Sequence, residues 1–157
     1  MKKYSMNTLL ILLFALLGCR KKETAQCDLS SGICFILDNE LVSGEAVWYR
    51  IPNQNRFRIL WQAGSGDTYR NLEIDIYTAD STLKSGTFTV NAANIPGTAA
   101  IQNYASGTPW YGNSGFVEIT AINGNAIDGT FNAVIAKDGN GERRSISAGE
   151  IISVARD

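Results

Sequence analysis

Glu73 and Asp75, in Asn71-Leu72-Glu73-Ile74-Asp75-Ile76-Tyr77, are the acidic residues whose spacing could support acid–base chemistry. On a strand they share one face about 7 Å apart, within the range glycoside hydrolysis uses for its two carboxyl groups. The same alternation turns Leu72, Ile74 and Ile76 inward, so the acids read first as a solvated face and only second as a carboxylate hydrolase. The chain has no histidine. That excludes a Ser-His-Asp triad, a Cys-His pair and the common histidine zinc sites. Asp138-Gly139-Asn140-Gly141-Glu142 places oxygen-bearing side chains at alternate positions, as calcium loops do, but no acid follows at the spacing such a loop needs. Asp-Gly and Asn-Gly also make tight hairpins, which is the reading adopted. No catalytic residue, metal site or cofactor is assigned.

The cysteines and aromatics carry the remaining signals. Cys27 and Cys34 form an even pair once Cys19 is set aside, and in an oxidising compartment a disulfide is their natural state. Trp110 and Tyr111 stand in the polar, glycine-rich run Thr108-Pro109-Trp110-Tyr111-Gly112. Read as a loop, this is the candidate binding site, because exposed aromatic faces stack on sugars or anchor a partner protein. The competing reading folds both rings over an open end of the core.

These residues need strands to position them. Phe57, Ile59 and Trp61 alternate with polar neighbours, and so do Leu72, Ile74 and Ile76; both patterns are those of half-buried antiparallel strands. Further inward sets are Val47, Tyr49 and Ile51; Phe88 and Val90; Val117, Ile119 and Ala121; and Ile127, Phe131, Ala133 and Ile135. Trp48 falls on the opposite face from its strand's inward set. Two closing strands span residues 144–148 and 151–155, and one strand near 98–104 interrupts a long loop. Gly64-Ser65-Gly66-Asp67, Asn123-Gly124-Asn125 and Asp138 to Gly141 mark turns. The fold expected is all-β, an antiparallel β-sandwich, with a calycin-like β-barrel as the alternative.

The N-terminus has the zones of a secretory signal: Lys2 and Lys3, an apolar run from Leu9 to Leu17, then small residues. The run is shorter than the roughly 20 apolar residues of a bilayer span. Leu16-Leu17-Gly18-Cys19 resembles the lipobox of bacterial lipoproteins, which implies cleavage between Gly18 and Cys19 and a diacylglycerol on the Cys19 thiol. Two or more alkyl chains anchor firmly where one does not. Arg20 stands where an inner-membrane lipoprotein carries aspartate, so the resemblance implies the outer membrane, on its periplasmic or surface side. The organisation is then a signal peptide over 1–18, a lipidated cysteine and tether over 19–28, and one β domain over 29–157.

From Glu23 onward nine basic residues stand against 15 acidic ones, a net charge of −6. Such a body is not a nucleic-acid binder, which needs clustered Lys and Arg. The partners expected are the membrane, through the lipid, and an envelope protein or glycan. Ser85-Gly86-Thr87-Phe88, Tyr104, Gly115 to Thr120, Ile127 to Phe131 and Ile146 to Ile152 together look like a domain recurring in lipoproteins of Bacteroidetes-type bacteria. The resemblance spans roughly Leu72 to Val154. It implies a β-rich periplasmic or surface lipoprotein domain with no assigned activity and no catalytic residues to carry over. The functions expected are a noncatalytic binding or structural envelope domain, a carrier of lipid or another apolar ligand inside a barrel, or a carboxylate-based hydrolase using Glu73 and Asp75.

Overall fold

The computed structural model describes residues 27–157 apart from Ser106 and Asn140. Gly18, Cys19, the signal segment and the tether up to residue 26 lie outside the described residues. The strands are β1 (Gly32–Leu37), β2 (Glu40–Gly44), β3 (Ala46–Arg50), β4 (Arg56–Ala63) and β5 (Arg70–Tyr77). They continue as β6 (Gly86–Val90), β7 (Thr98–Ala105), β8 (Thr108–Asn123), β9 (Ala126–Lys137) and β10 (Arg143–Arg156). A 3-10 turn at Gly66–Thr68 is the one helical element among the described residues, and none there is long and apolar enough to cross a membrane.

All ten strands belong to one sheet in the order β2-β1-β10-β3-β4-β5-β7-β6-β8-β9, and β9 pairs back with β10 to close a ring. The all-β, mainly antiparallel architecture read from the alternation is present. Its two layers are opposite sides of one continuous sheet, packed on one shared core. Two pairings are parallel: β3 with the last residues of β10, and β6 with the start of β7. Short β6 lies between β7 and β8 at one end, while β7 and β8 pair directly at the other.

The inward phase holds where alternation was clear. Phe57, Ile59 and Trp61 are buried, as are Leu72, Ile74, Ile76, Phe88, Val90, Val117, Ile119, Ile127, Phe131, Ala133 and Ile135. In β3 the phase is the reverse of the one expected. Trp48 is buried opposite Ile59, while Val47 is exposed. The reason is a larger gain from the indole: Trp48 packs 6.1 Å from Phe57, its Nε1–H donates to the Asn125 carbonyl at 2.9 Å, and Arg156 lies over the ring. In β8 a register shift between Ile119 and Ala121 turns Ile122, rather than Ala121, against the core.

The two closing strands are one, β10. Register shifts between Ile146 and Gly149 and between Ile151 and Val154 break its periodicity without ending the ladder with β9. Ala148 and Ser153 adopt positive φ at these bends (48° and 43°), a conformation that costs roughly 1–2 kcal/mol for a non-glycine residue. The Asp128 carboxylate accepts the Ser153 N–H at 2.7 Å and holds the second bend. Gly149 is required at the first: a Cβ there would lie 2.5 Å from the Phe131 carbonyl oxygen and 2.7 Å from its ring. These bends let a 14-residue strand curve around the core and pair on both sides.

One hydrophobic cluster fills the space between the walls, with Phe35 of β1 at 5.9 Å from both Trp61 and Phe131. Ile33, Phe35 and Leu37 enter this cluster. Cys34 alternates with them and joins Cys27 in the expected disulfide, with Cα atoms 6.2 Å apart.

Candidate ligand site at the open end of the ring

The β1–β2, β4–β5, β7–β8 and β9–β10 connections gather at one end of the ring, and there the inward register changes character. Trp61 pairs with Leu72, Leu72 with Asn103, Asn103 with Trp110, and Trp110 with Lys137. Residues directly opposite on antiparallel strands share a face. Trp61, Leu72 and Trp110 belong to the core, so Asn103 and Lys137 face inward with them. Three more strands repeat the change: Glu40 stands two positions before buried Val42, Arg70 two before Leu72, and Arg144 two before Ile146. At the opposite end the inward residues Trp48, Phe57, Ile76, Phe88, Ile127 and Val154 are apolar, and the charged residues that follow in phase are Arg50 and Arg156, the latter over the Trp48 ring.

These residues enclose a pocket of about 490 Å³. Phe35, Leu37, Val42, Trp61 and Trp110 provide its apolar lining, and Asp38, Glu40, Arg70, Asn103, Lys137, Glu142 and Arg144 its polar one. Arg144 lies over the Trp110 indole at 4.2 Å while its Nε pairs with Asp38 at 3.3 Å. Arg70 pairs with Glu40 at 3.3 Å. Lys137 makes no ion pair among the described residues. Asn103, only 2% exposed, donates from Nδ2 to the Asn71 carbonyl at 2.8 Å, but its Oδ1 is buried without a hydrogen-bond partner among the described residues. Asn71 is held in turn, accepting the Tyr104 N–H at 3.1 Å and donating to Glu73 at 3.2 Å.

The residues expected to form a binding loop are placed differently. Trp110 and Tyr111 lie near the start of β8, so their side chains point to opposite faces. Trp110 is 3% exposed and lines the pocket at the mouth; Tyr111 is 46% exposed and borders a separate groove of about 300 Å³ on the outer face. The run reads as a loop because its polar and glycine residues hide the pairing of 108–111 with 102–105.

Glu73 and Asp75 do share the outer face, yet that face is not freely solvated. Asp75 is 8% exposed and receives Arg58 in two-point contact, Nε to Oδ1 at 2.7 Å and Nη2 to Oδ2 at 2.8 Å, with Arg56 at 3.3 Å. Glu73 takes Arg58 Nη1 at 2.7 Å. The hydrogen bonds that Arg58 donates to Asp75 raise the Arg58 pKa above its already high ordinary value, outweighing the opposing effect of burial. Both carboxylates line the outer groove that Tyr111 borders, as members of a guanidinium network rather than as a free pair.

Asp138 to Glu142 connects β9 to β10, closed by the Lys137 N–H donating to the Glu142 carbonyl at 2.9 Å, with positive φ at Gly139 and Gly141. Among the described residues, Cys27, Cys34 and Glu150 form the one cluster with the ligand types and proximity for a metal. Its two sulfurs are joined in the disulfide. Sequence reasoning missed Asn103, Lys137, Arg144, Arg70 and Glu40. Their signal is a polar residue in the inward phase of a strand, repeated at one end of several strands. No family model, curated protein or solved structure matches this chain.

Proposed function

We propose that this chain is a lipid-anchored, noncatalytic binding protein of the cell envelope, and that its ligand site is the polar mouth of the ring. The observation that carries the reading is the run of polar residues in the inward register of five strands around a pocket of about 490 Å³. A pocket with an apolar lining and a few convergent polar groups is the usual form of a small-molecule site. The filled interior favours a surface-accessible ligand over one carried deep inside. The absence of histidine and the engagement of Glu73 and Asp75 by Arg58 favour binding over hydrolysis.

The anchor is the Cys19 thiol, and Arg20 after it favours the outer membrane. The Cys27–Cys34 disulfide suits an oxidising envelope compartment. Incorporation of a labelled fatty acid that disappears in Cys19→Ser tests the anchor; label retained in that variant removes it. The site is tested by filling it. Ala105 borders the pocket, and Ala105→Trp would occupy its space. Mass spectrometry of small molecules released from gently extracted protein should find a species in the parent chain that is lost in Ala105→Trp. The same species in both would end the reading.

A further inference from the structure

Resting on that reading of the mouth, we propose the ligand class: a flat organic anion that carries an O–H or N–H donor at the end remote from its negative group. Asn103, Trp110 and Lys137 stand directly opposite one another on three neighbouring strands. With neighbouring strands about 4.8 Å apart, the two polar residues are roughly 10 Å apart at the backbone, with the indole between them.

The Asn103 amide is fixed in orientation. Its Nδ2 donates to the Asn71 carbonyl at 2.8 Å, and a flip would set two oxygens against each other. Oδ1 is therefore a buried acceptor lacking a donor among the described residues, a rare and costly arrangement in a folded protein. A ligand O–H or N–H supplies what is missing. At the other end of the row stands the Lys137 ammonium, with the Arg144 guanidinium held on the Trp110 face nearby. Arg144 and Arg70 already bind Asp38 and Glu40, so the rim's cations are positioned and two of its carboxylates neutralised. Phe35, Trp61 and Trp110 offer the apolar surface for a flat body between the two polar ends.

Three matched probes test the class by isothermal titration against the full chain in mild detergent. They are 3-(4-hydroxyphenyl)propanoate, 3-phenylpropanoate lacking the hydroxyl, and 4-propylphenol lacking the carboxylate. The first should bind most tightly. Removing the hydroxyl should weaken binding about three- to tenfold, and removing the carboxylate about tenfold, because the rim is part-exposed. Lys137→Gln should weaken the two carboxylates alone, and Ala105→Trp should abolish binding of all three. Binding of 4-propylphenol that equals or exceeds that of the hydroxy acid, and is lost in Ala105→Trp, overturns the class while leaving the mouth as the site. Binding unaffected by Ala105→Trp overturns both. An absence of binding by all three probes up to millimolar concentration overturns the class, and the mass-spectrometric comparison then decides the site.

Discussion

Replacing Trp110 by alanine separates a core aromatic from a surface one, because its neighbour Tyr111 provides an internal control on the same strand. Trp110 is 3% exposed and carries the Arg144 guanidinium on its ring. A tryptophan of this burial removes up to about 250 Å² from water, an upper bound near 6 kcal/mol at ~25 cal/mol/Å². Alanine recovers part of that area, and the adjoining pocket admits water to the space left behind. The expected loss is therefore about 3 kcal/mol, at the low end for a buried tryptophan. For a domain of about 130 residues this lowers the melting temperature by roughly 10 °C. Tyr111→Ala should cost about 1 kcal/mol or less, since half of the ring is already in water. Urea denaturation of each variant in the same mild detergent, followed by circular dichroism, gives both numbers. A Trp110→Ala loss below about 1 kcal/mol, or one matched by Tyr111→Ala, would refute the placement of Trp110 in the core.

Three further outcomes follow from the same structure. Asp75→Asn removes the charge that receives Arg58 at two points, and denaturation should register a loss of about 2 kcal/mol; a neutral result would show that the network is dispensable. Reducing the Cys27–Cys34 disulfide, which closes a loop of seven-residue separation, should lower stability by roughly 2 kcal/mol on the chain-entropy account, read as a shift in urea midpoint with and without reductant. The Thr82 N–H, followed by Lys84, holds the Asp80 carboxyl below the usual carboxylate range. NMR titration should find it ionising below the ordinary value of 3.8. Its small contribution to stability is present above the unfolded value and lost as pH falls through the folded one, a dependence that Asp80→Asn should remove.

The fold class was legible because alternation of residue type survives in β4, β5 and β9, where the inward positions are apolar and the outward ones mostly polar. Legibility ended where a local device broke the period of two. In β10, Ala148 and Ser153 at positive φ shift the phase, so one strand reads as two. In β3 every residue from Val47 to Tyr49 is a good strand former, and only the fit of the Trp48 indole over Phe57 selects the phase. Ring closure depends on β9–β10 and β3–β10 pairing, which local periodicity does not encode.

The candidate site was hidden for a related reason. Glu73, Asp75, Trp110 and Tyr111 are each conspicuous by residue type. Asn103, Lys137 and Arg144 belong to no motif. Their meaning comes from the inward phase, with Ile101 before Asn103, Ile135 before Lys137 and Ile146 after Arg144. Only the cross-strand register aligns Asn103, Trp110 and Lys137 in one row.

On the function proposed above, the mouth lined by Trp61 and Trp110, and not the end closed by Trp48, receives the ligand. Labelling the tryptophans with 5-fluorotryptophan gives each a fluorine resonance, assignable by single Trp→Phe replacements. Addition of a small-molecule extract of the producing cells' envelope should shift the resonances of Trp61 and Trp110 and leave that of Trp48 in place. A shift confined to Trp48, or three resonances that do not move, would contradict the account.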